Sequence, residues 1–320
     1  MRKFIIKLLI FLSPVLVFME LPRFTKYIMD ADLEAKINTF LPTNNNVDII
    51  IAGDSRAERQ LIPNIFDNKT GKKTVNVAKD VGDVISLLYA DDKYHFVDSN
   101  KVFVVCVSSL ITNDGSYKNW FMSQASITEI GLLRSILLFG TDYPENWYHR
   151  MGLIWGDLVN DKRGQTLSVK DIRFATEGYY PVNNYLDIEK LLEIDLSPQS
   201  TEHLWYRKPN NNGIRKKVFV ESIKEFSKTK SKIILIQSPM APTWRAMVKD
   251  GFMHKMELDF CDLLDEIDSQ YDNILVIDFY KQQPTIFTDE LFYNATHLNN
   301  NGAQIFTKAV IDSIETLGLF

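Results

Sequence analysis

The stretch Val47-Asp48-Ile49-Ile50-Ile51-Ala52-Gly53-Asp54-Ser55-Arg56 constrains this chain more than any other. An apolar, mainly β-branched run that stops at Gly-Asp-Ser predicts a strand buried on both faces, as in a parallel sheet. The residues just past such a strand lie at the carboxyl edge of the sheet, where open α/β folds hold their ligands. Similar short runs follow at Thr74–Ala78, Val102–Val107, Lys232–Gln237 and Asn273–Phe279. Helical patterns separate or follow them at Val84–Tyr94, Arg215–Thr229, Met253–Ser269 and Ala303–Leu317. Strands alternating with helices imply right-handed crossovers, hence an α/β fold with one parallel sheet between helical layers.

That rhythm fails between about residues 115 and 213. The interval carries Trp120, Trp147, Trp155, Trp205 and Gly178-Tyr179-Tyr180-Pro181-Val182, with a helical pattern at Ser126–Phe139 and no strong strand. A connection this long in a compact domain is expected to be a lid or binding loop, here an insertion over the carboxyl edge. Its aromatic residues suit either a small core of their own or the flat faces of sugar rings.

Upstream, Met1-Arg2-Lys3 leads into the apolar run Phe4–Met19, interrupted only by Lys7, which is near enough to the end to snorkel. Basic residues before a run near the lower length limit for a span predict a signal anchor with the rest of the chain outside the cytoplasm. No small-x-small cleavage site follows, which favours an uncleaved anchor over a removable signal peptide. The expected organisation is an anchor over 1–22, a polar, partly helical neck over 23–46, and a globular domain over 47–320 containing the insertion. A domain that large buries roughly three quarters of its unfolded surface and needs no disulfide. Cys106 and Cys261 sit in apolar patterns and are expected as core residues. No Cys/His cluster has zinc spacing, so neither metal nor cofactor is expected. A net charge of −5 without a basic block argues against a nucleic-acid surface.

Two distant residues carry the chemistry. Ser55 ends the first strand, and His297 stands in the polar loop Asn294-Ala295-Thr296-His297-Leu298-Asn299-Asn300-Asn301-Gly302. A hydroxyl and an imidazole are the parts of a nucleophile and its base. Asp54 and Ser55 alone would equally serve to cap the next helix, and the two roles are compatible. His95, His149, His203 and His254 have no partner motif and are expected to be ordinary surface or interface residues.

Gly53-Asp54-Ser55 together with Thr296-His297-Leu298-Asn299-x-x-Gly302 resembles the blocks of the SGNH/GDSL hydrolase superfamily. The resemblance implies a flavodoxin-like three-layer sandwich with a five-stranded parallel sheet, elaborated here by the large, mainly helical insertion. It also implies an oxyanion hole built from Ser55, Gly82 and Asn113, although Asn113 comes late and lacks the family's preceding Gly. Where the family has an Asp three residues before the His, this chain has Asn294, which removes the charge that steadies an imidazolium. Asp289 and Glu290 are the nearby carboxylates that could substitute. An anchor, an exported domain and a large insertion look most like the members that accompany membrane-bound O-acyltransferases in modifying cell-envelope polysaccharides. What that implies is O-acyl transfer or ester hydrolysis on a surface polysaccharide, with a membrane-bound O-acyltransferase as partner. Arg56 would bind an acidic sugar, or form a surface ion pair. The competing implication is a silent domain of the same fold that binds glycan or scaffolds an assembly.

Overall fold

The structure is a computed structural model that describes residues 11, 13–14, 31–41, 46–79, 101–113, 167–168, 170–194, 196 and 213–318. Its centre is a five-stranded sheet, β1 Ile49–Gly53, β2 Thr74–Asn76, β3 Val102–Val107, β4 Lys232–Gln237 and β5 Ile274–Asp278, in the order β2-β1-β3-β4-β5. Every neighbouring pair is parallel, with Gly53 beside Cys106 and Gln237 beside Asp278 near the carboxyl ends. This is the flavodoxin-like order, whose switch point lies beside β1. β1 and β3 are buried along their whole length, as the uninterrupted apolar runs require.

Alternate strand residues feed two cores. Ile50, Ala52, Phe103, Val105, Ile233 and Leu235 face one layer, where they meet Phe219, Ile223 and Phe226 of the helix Ile214–Phe226 and Phe260, Leu264 and Ile267 of the helix Phe252–Gln270. Ile49, Ile51, Val104, Cys106, Ile234 and Ile236 face the other, against Phe306, Val310 and Ile314 of the helix Asn300–Thr316 and Ala57 of the helix Ser55–Gln60. The three-layer α/β expectation therefore holds, and Cys106 and Cys261 are buried thiols within it.

The expected neck contains a helix, Ala31–Phe40, and it is not a solvated linker. Leu33, Ala35, Ile37 and Phe40 join the first core. Residues 33, 37 and 40 follow i, i+4, i+7 spacing and give this helix an apolar face, which the polar residues between them disguise in the sequence. The described part of the insertion holds the short helices Ile172–Ala175 and Ile188–Leu192 and no strand. The patterns at Val84–Tyr94 and Ser126–Phe139, the four tryptophans of the insertion and most of the anchor lie outside the described residues. Among the described residues no helix is long and apolar enough to cross a membrane.

Candidate active site

Ser55 is delivered by a backbone that only glycine fits. Gly53 has φ +119°, and a Cβ there would lie 2.3 Å from the Cys106 carbonyl oxygen on β3. The chain turns at once into the helix Ser55–Gln60, capped by Asp54, whose Oδ1 accepts from the Arg56 N–H at 2.9 Å. Asp54 Oδ2 takes a second hydrogen bond, from Ser108 Oγ at 3.3 Å, which ties the cap to the end of β3. The capping reading of Gly-Asp-Ser is thus correct for Asp54, leaving the partly exposed Ser55 side chain for another task.

Ser55 Oγ lies 2.6 Å from His297 Nε2. The histidine comes from a hairpin in which β6 Phe292–Asn294 pairs antiparallel with β7 His297–Leu298, so Asn294 and His297 face each other across the turn. Asn294 Oδ1 accepts from the backbone N–H groups of Thr296 at 3.0 Å and His297 at 2.9 Å, and lies 3.0 Å from His297 Nδ1. Two backbone donors identify that atom as the amide oxygen. Thr296 Oγ1 also lies 3.1 Å from Nδ1, but the amide oxygen can only accept, so this arrangement favours the proton on Nδ1 with the Nε2 lone pair toward the serine hydroxyl, the tautomer a general base needs.

Several bonds fix the two halves together. Gln60 Nε2 donates to the Thr296 carbonyl at 3.3 Å, and Thr307 Oγ1 donates to the Gln60 carbonyl at 3.1 Å. The Ala241 N–H, just past β4, donates to the Ala295 carbonyl at 3.0 Å. Asn299 caps the helix Asn300–Thr316 through Gly302 N–H, and a Cβ on Gly302 would come within 2.3 Å of the Leu291 carbonyl. The Asn-x-x-Gly after the histidine is thus a cap and a close helix–loop contact.

Burial, with the positive charges of Arg56 and Arg59 behind it, holds the His297 pKa down to about 3. Asn294 contributes no negative charge to oppose this. Arg59 lies one helical turn after Ser55 on the same face, donates from Nη1 to Tyr293 Oη at 2.7 Å and has its guanidinium 5.9 Å from the Tyr180 ring. Tyr293 in turn sits 5.5 Å from the His297 ring, centroid to centroid. Arg59 and Tyr293 are not among the residues the sequence points to, while Tyr180 belongs to the aromatic run expected either as a small core or as a surface for sugar rings. The i, i+4 relation of Arg59 to Ser55 was the one usable signal.

The remaining expected residues fare differently. Arg56 is 3% exposed, so the surface ion pair is not what the structure has. Its charge is felt by the buried Glu257, which accepts from Ser109 Oγ at 2.6 Å and Gln237 Nε2 at 2.9 Å and whose pKa burial raises. Asn113 follows β3 at the same sheet edge, where its Nδ2 donates to Met256 Sδ at 3.3 Å and its carbonyl accepts from Arg215 at 3.2 Å. Ser55 and His297 make no hydrogen bond to it. Gly82 lies outside the described residues. Asp289 does not replace the missing acid, because its two oxygens accept from the N–H and Oγ1 of Thr243, at 3.0 and 2.7 Å, at the start of the helix Pro242–Val248. Glu290 accepts from Thr288 at the surface. Among the other histidines, His254 is half-buried, with Nδ1 2.7 Å from Tyr280 Oη, and His95, His149 and His203 lie outside the described residues. Among the described residues no group of three or more His, Cys, Asp or Glu could hold a metal ion.

No family model matches the chain, and no curated protein matches it. A solved structure of a protein from Streptococcus pneumonia, provisionally described as a platelet activating factor, is similar over 96% of this chain and 98% of that one, with 12% identity and a TM-score of 0.39. So distant a likeness carries no argument. The class defined by the sheet order and the site is an α/β protein with a serine–histidine pair at the carboxyl edge of its parallel sheet.

Proposed function

We propose that this chain is a serine esterase or O-acyltransferase of SGNH type that handles an ester, O-acetyl by preference, on a cell-surface polysaccharide. The observation that carries the reading is the 2.6 Å contact of Ser55 Oγ with His297 Nε2, in the tautomer set by the Asn294 carbonyl. Ser55 would attack the ester carbonyl as its proton passes to Nε2. The imidazolium would then return that proton to the departing group, the sugar oxygen in hydrolysis or the donor's own heteroatom in transfer, leaving an acyl group on Ser55. Water completes hydrolysis; a glycan hydroxyl in its place completes transfer. The Ser55 N–H, with Gly82 and Asn113 as further candidates, would hold the oxyanion. Arg56, buried behind the nucleophile, would bring positive charge to an acidic sugar. The apolar run after Met1-Arg2-Lys3 would anchor the chain, with the domain extracytoplasmic and a membrane-bound O-acyltransferase as its donor partner.

One observation favours a second reading, a silent glycan-binding or scaffolding domain. An imidazole held down to about 3 is a weak base, and proton transfer is most efficient when the base titrates near the working pH. The discriminating experiment measures acetate release from small acetyl esters and O-acetylated polysaccharides by wild type and Ser55→Ala. A rate lost in Ser55→Ala supports the enzyme. Equal background rates on every substrate support the silent domain.

A further inference from the structure

Lys36 stands on the helix Ala31–Phe40, far in sequence from the chemistry, and is completely buried. Its ammonium reaches three separate parts of the fold. Nζ lies 2.7 Å from Glu58 Oε1, donates to the Ala78 carbonyl, and lies 3.3 Å from the Gly178 carbonyl. Glu58 is three residues after Ser55 on the nucleophile helix, and its carboxylate is almost fully buried. Ala78 is in the segment leaving β2, which is itself bonded to the nucleophile turn through Lys79 N–H to the Gly53 carbonyl at 3.3 Å. Gly178 belongs to the insertion and packs so closely on β2 that a Cβ would lie 1.8 Å from the Asn76 carbonyl oxygen. Two residues further on, the Tyr180 N–H donates to the Glu58 carbonyl at 2.9 Å.

We infer that Lys36 is a positioning residue for the Ser55–His297 pair, a buried bolt that fixes the nucleophile helix, the segment after β2 and the insertion in one register. The inference rests on the enzyme reading. A single ammonium sharing three acceptors sets relative placement in a way that charge neutralisation of Glu58 alone does not require. Misplacement of reacting groups by about 1 Å can cost on the order of 100-fold in rate. Desolvated pairs also behave asymmetrically: removing one partner strands the other charge, whereas replacing both with apolar groups of similar volume is often neutral for stability.

That asymmetry separates positioning from stability. Kcat, KM and Tm for acetyl-ester hydrolysis are measured in wild type, Lys36→Met, the double variant Lys36→Met/Glu58→Met, and Ser55→Ala. The expected result is a kcat about 10- to 100-fold lower in Lys36→Met with KM little changed. In the double variant the stranded Glu58 charge is gone, so part of the lost Tm returns; the rest does not, because Arg173, whose Nη1 lies 3.7 Å from Glu58 Oε1, loses that partner and the Ala78 and Gly178 carbonyls remain unheld, which also keeps kcat low. Recovery of kcat together with Tm in the double variant overturns the inference and leaves Lys36 with a purely structural role. A wild-type rate no different from Ser55→Ala instead overturns the enzyme reading, a separate and recognisable outcome.

Discussion

The serine and the histidine reach the same point by opposite means. Ser55 is set by the sheet: β1 is locked in register with β3, Gly53 presses on the Cys106 carbonyl, and the helix starts without a free residue between. His297 is set by a two-stranded hairpin outside that sheet, whose geometry depends on one amide oxygen taking three contacts from residues 296 and 297. The position of Ser55 is therefore a property of the whole core, while the hairpin is docked on that core through Gln60 and Ala241 but orients the His297 ring through one side chain of its own, which can be altered singly.

The harshest way to break the comparison is Gly53→Ala. A φ of +119° and a 2.3 Å clash with strand backbone cannot be relieved by a side-chain shift, so chemical denaturation should report a loss of more than about 3 kcal/mol. A loss under about 1 kcal/mol would mean that the sheet does not dictate where Ser55 stands. On the other side, Asn294→Ala should leave the fold standing, with a stability loss of about 1 kcal/mol for the orphaned, part-buried N–H groups of Thr296 and His297. Hydrolysis should nonetheless fall roughly 100-fold as the ring loses its orienter. If rate and stability fall together in a protein that unfolds at room temperature, Asn294 holds the fold as well as the ring.

Asn294→Asp sharpens the contrast through charge alone. The wild-type imidazole stays neutral, and so free to accept a proton although only a weak base, at any pH above about 3, so His297 places no acid limb on kcat/KM across the mildly acidic range. A carboxylate at 294 stabilises the imidazolium, raises its pKa and moves that limb upward toward neutrality. At neutral pH it should raise turnover by about tenfold, as the base comes nearer to the working pH. A pH–rate profile unmoved by the substitution would show that residue 294 does not face the ring.

The smallest effect is expected at Asp289→Asn, which weakens the contact with Thr243 and should cost about 1 kcal/mol with kcat unchanged within measurement. A large fall in kcat there would restore Asp289 as the catalytic acid.

The same division governs what the sequence disclosed. The sheet strands were legible because residues buried on both faces must be uninterrupted apolar runs; Val102–Val107 and Lys232–Gln237 appear in the structure with the expected bounds. Ser55 and His297 were legible because small-residue turns and a polar loop frame them. The helix Ala31–Phe40 was harder, since its four core residues are interleaved with Lys36, Asn38 and Thr39, and the burial of Lys36 depends on partners 22, 42 and 142 residues away. The role of Asn294 was half visible. Its spacing marked the acid position, but that its oxygen would serve the backbone and the ring at once follows from the two-residue turn. Arg59 and Tyr293 meet only when the first helix and the hairpin dock.

The proposed reaction requires Ser55 and His297 to form one reactive pair. It is tested most directly by the rate at which a fluorophosphonate labels the protein at neutral pH, followed by intact mass and peptide mapping in wild type, Ser55→Ala and His297→Ala. A single adduct on Ser55, absent in Ser55→Ala and formed at least about 100-fold more slowly in His297→Ala, is the result predicted. No adduct on Ser55, or labelling of Ser55 at an unchanged rate without His297, would contradict it.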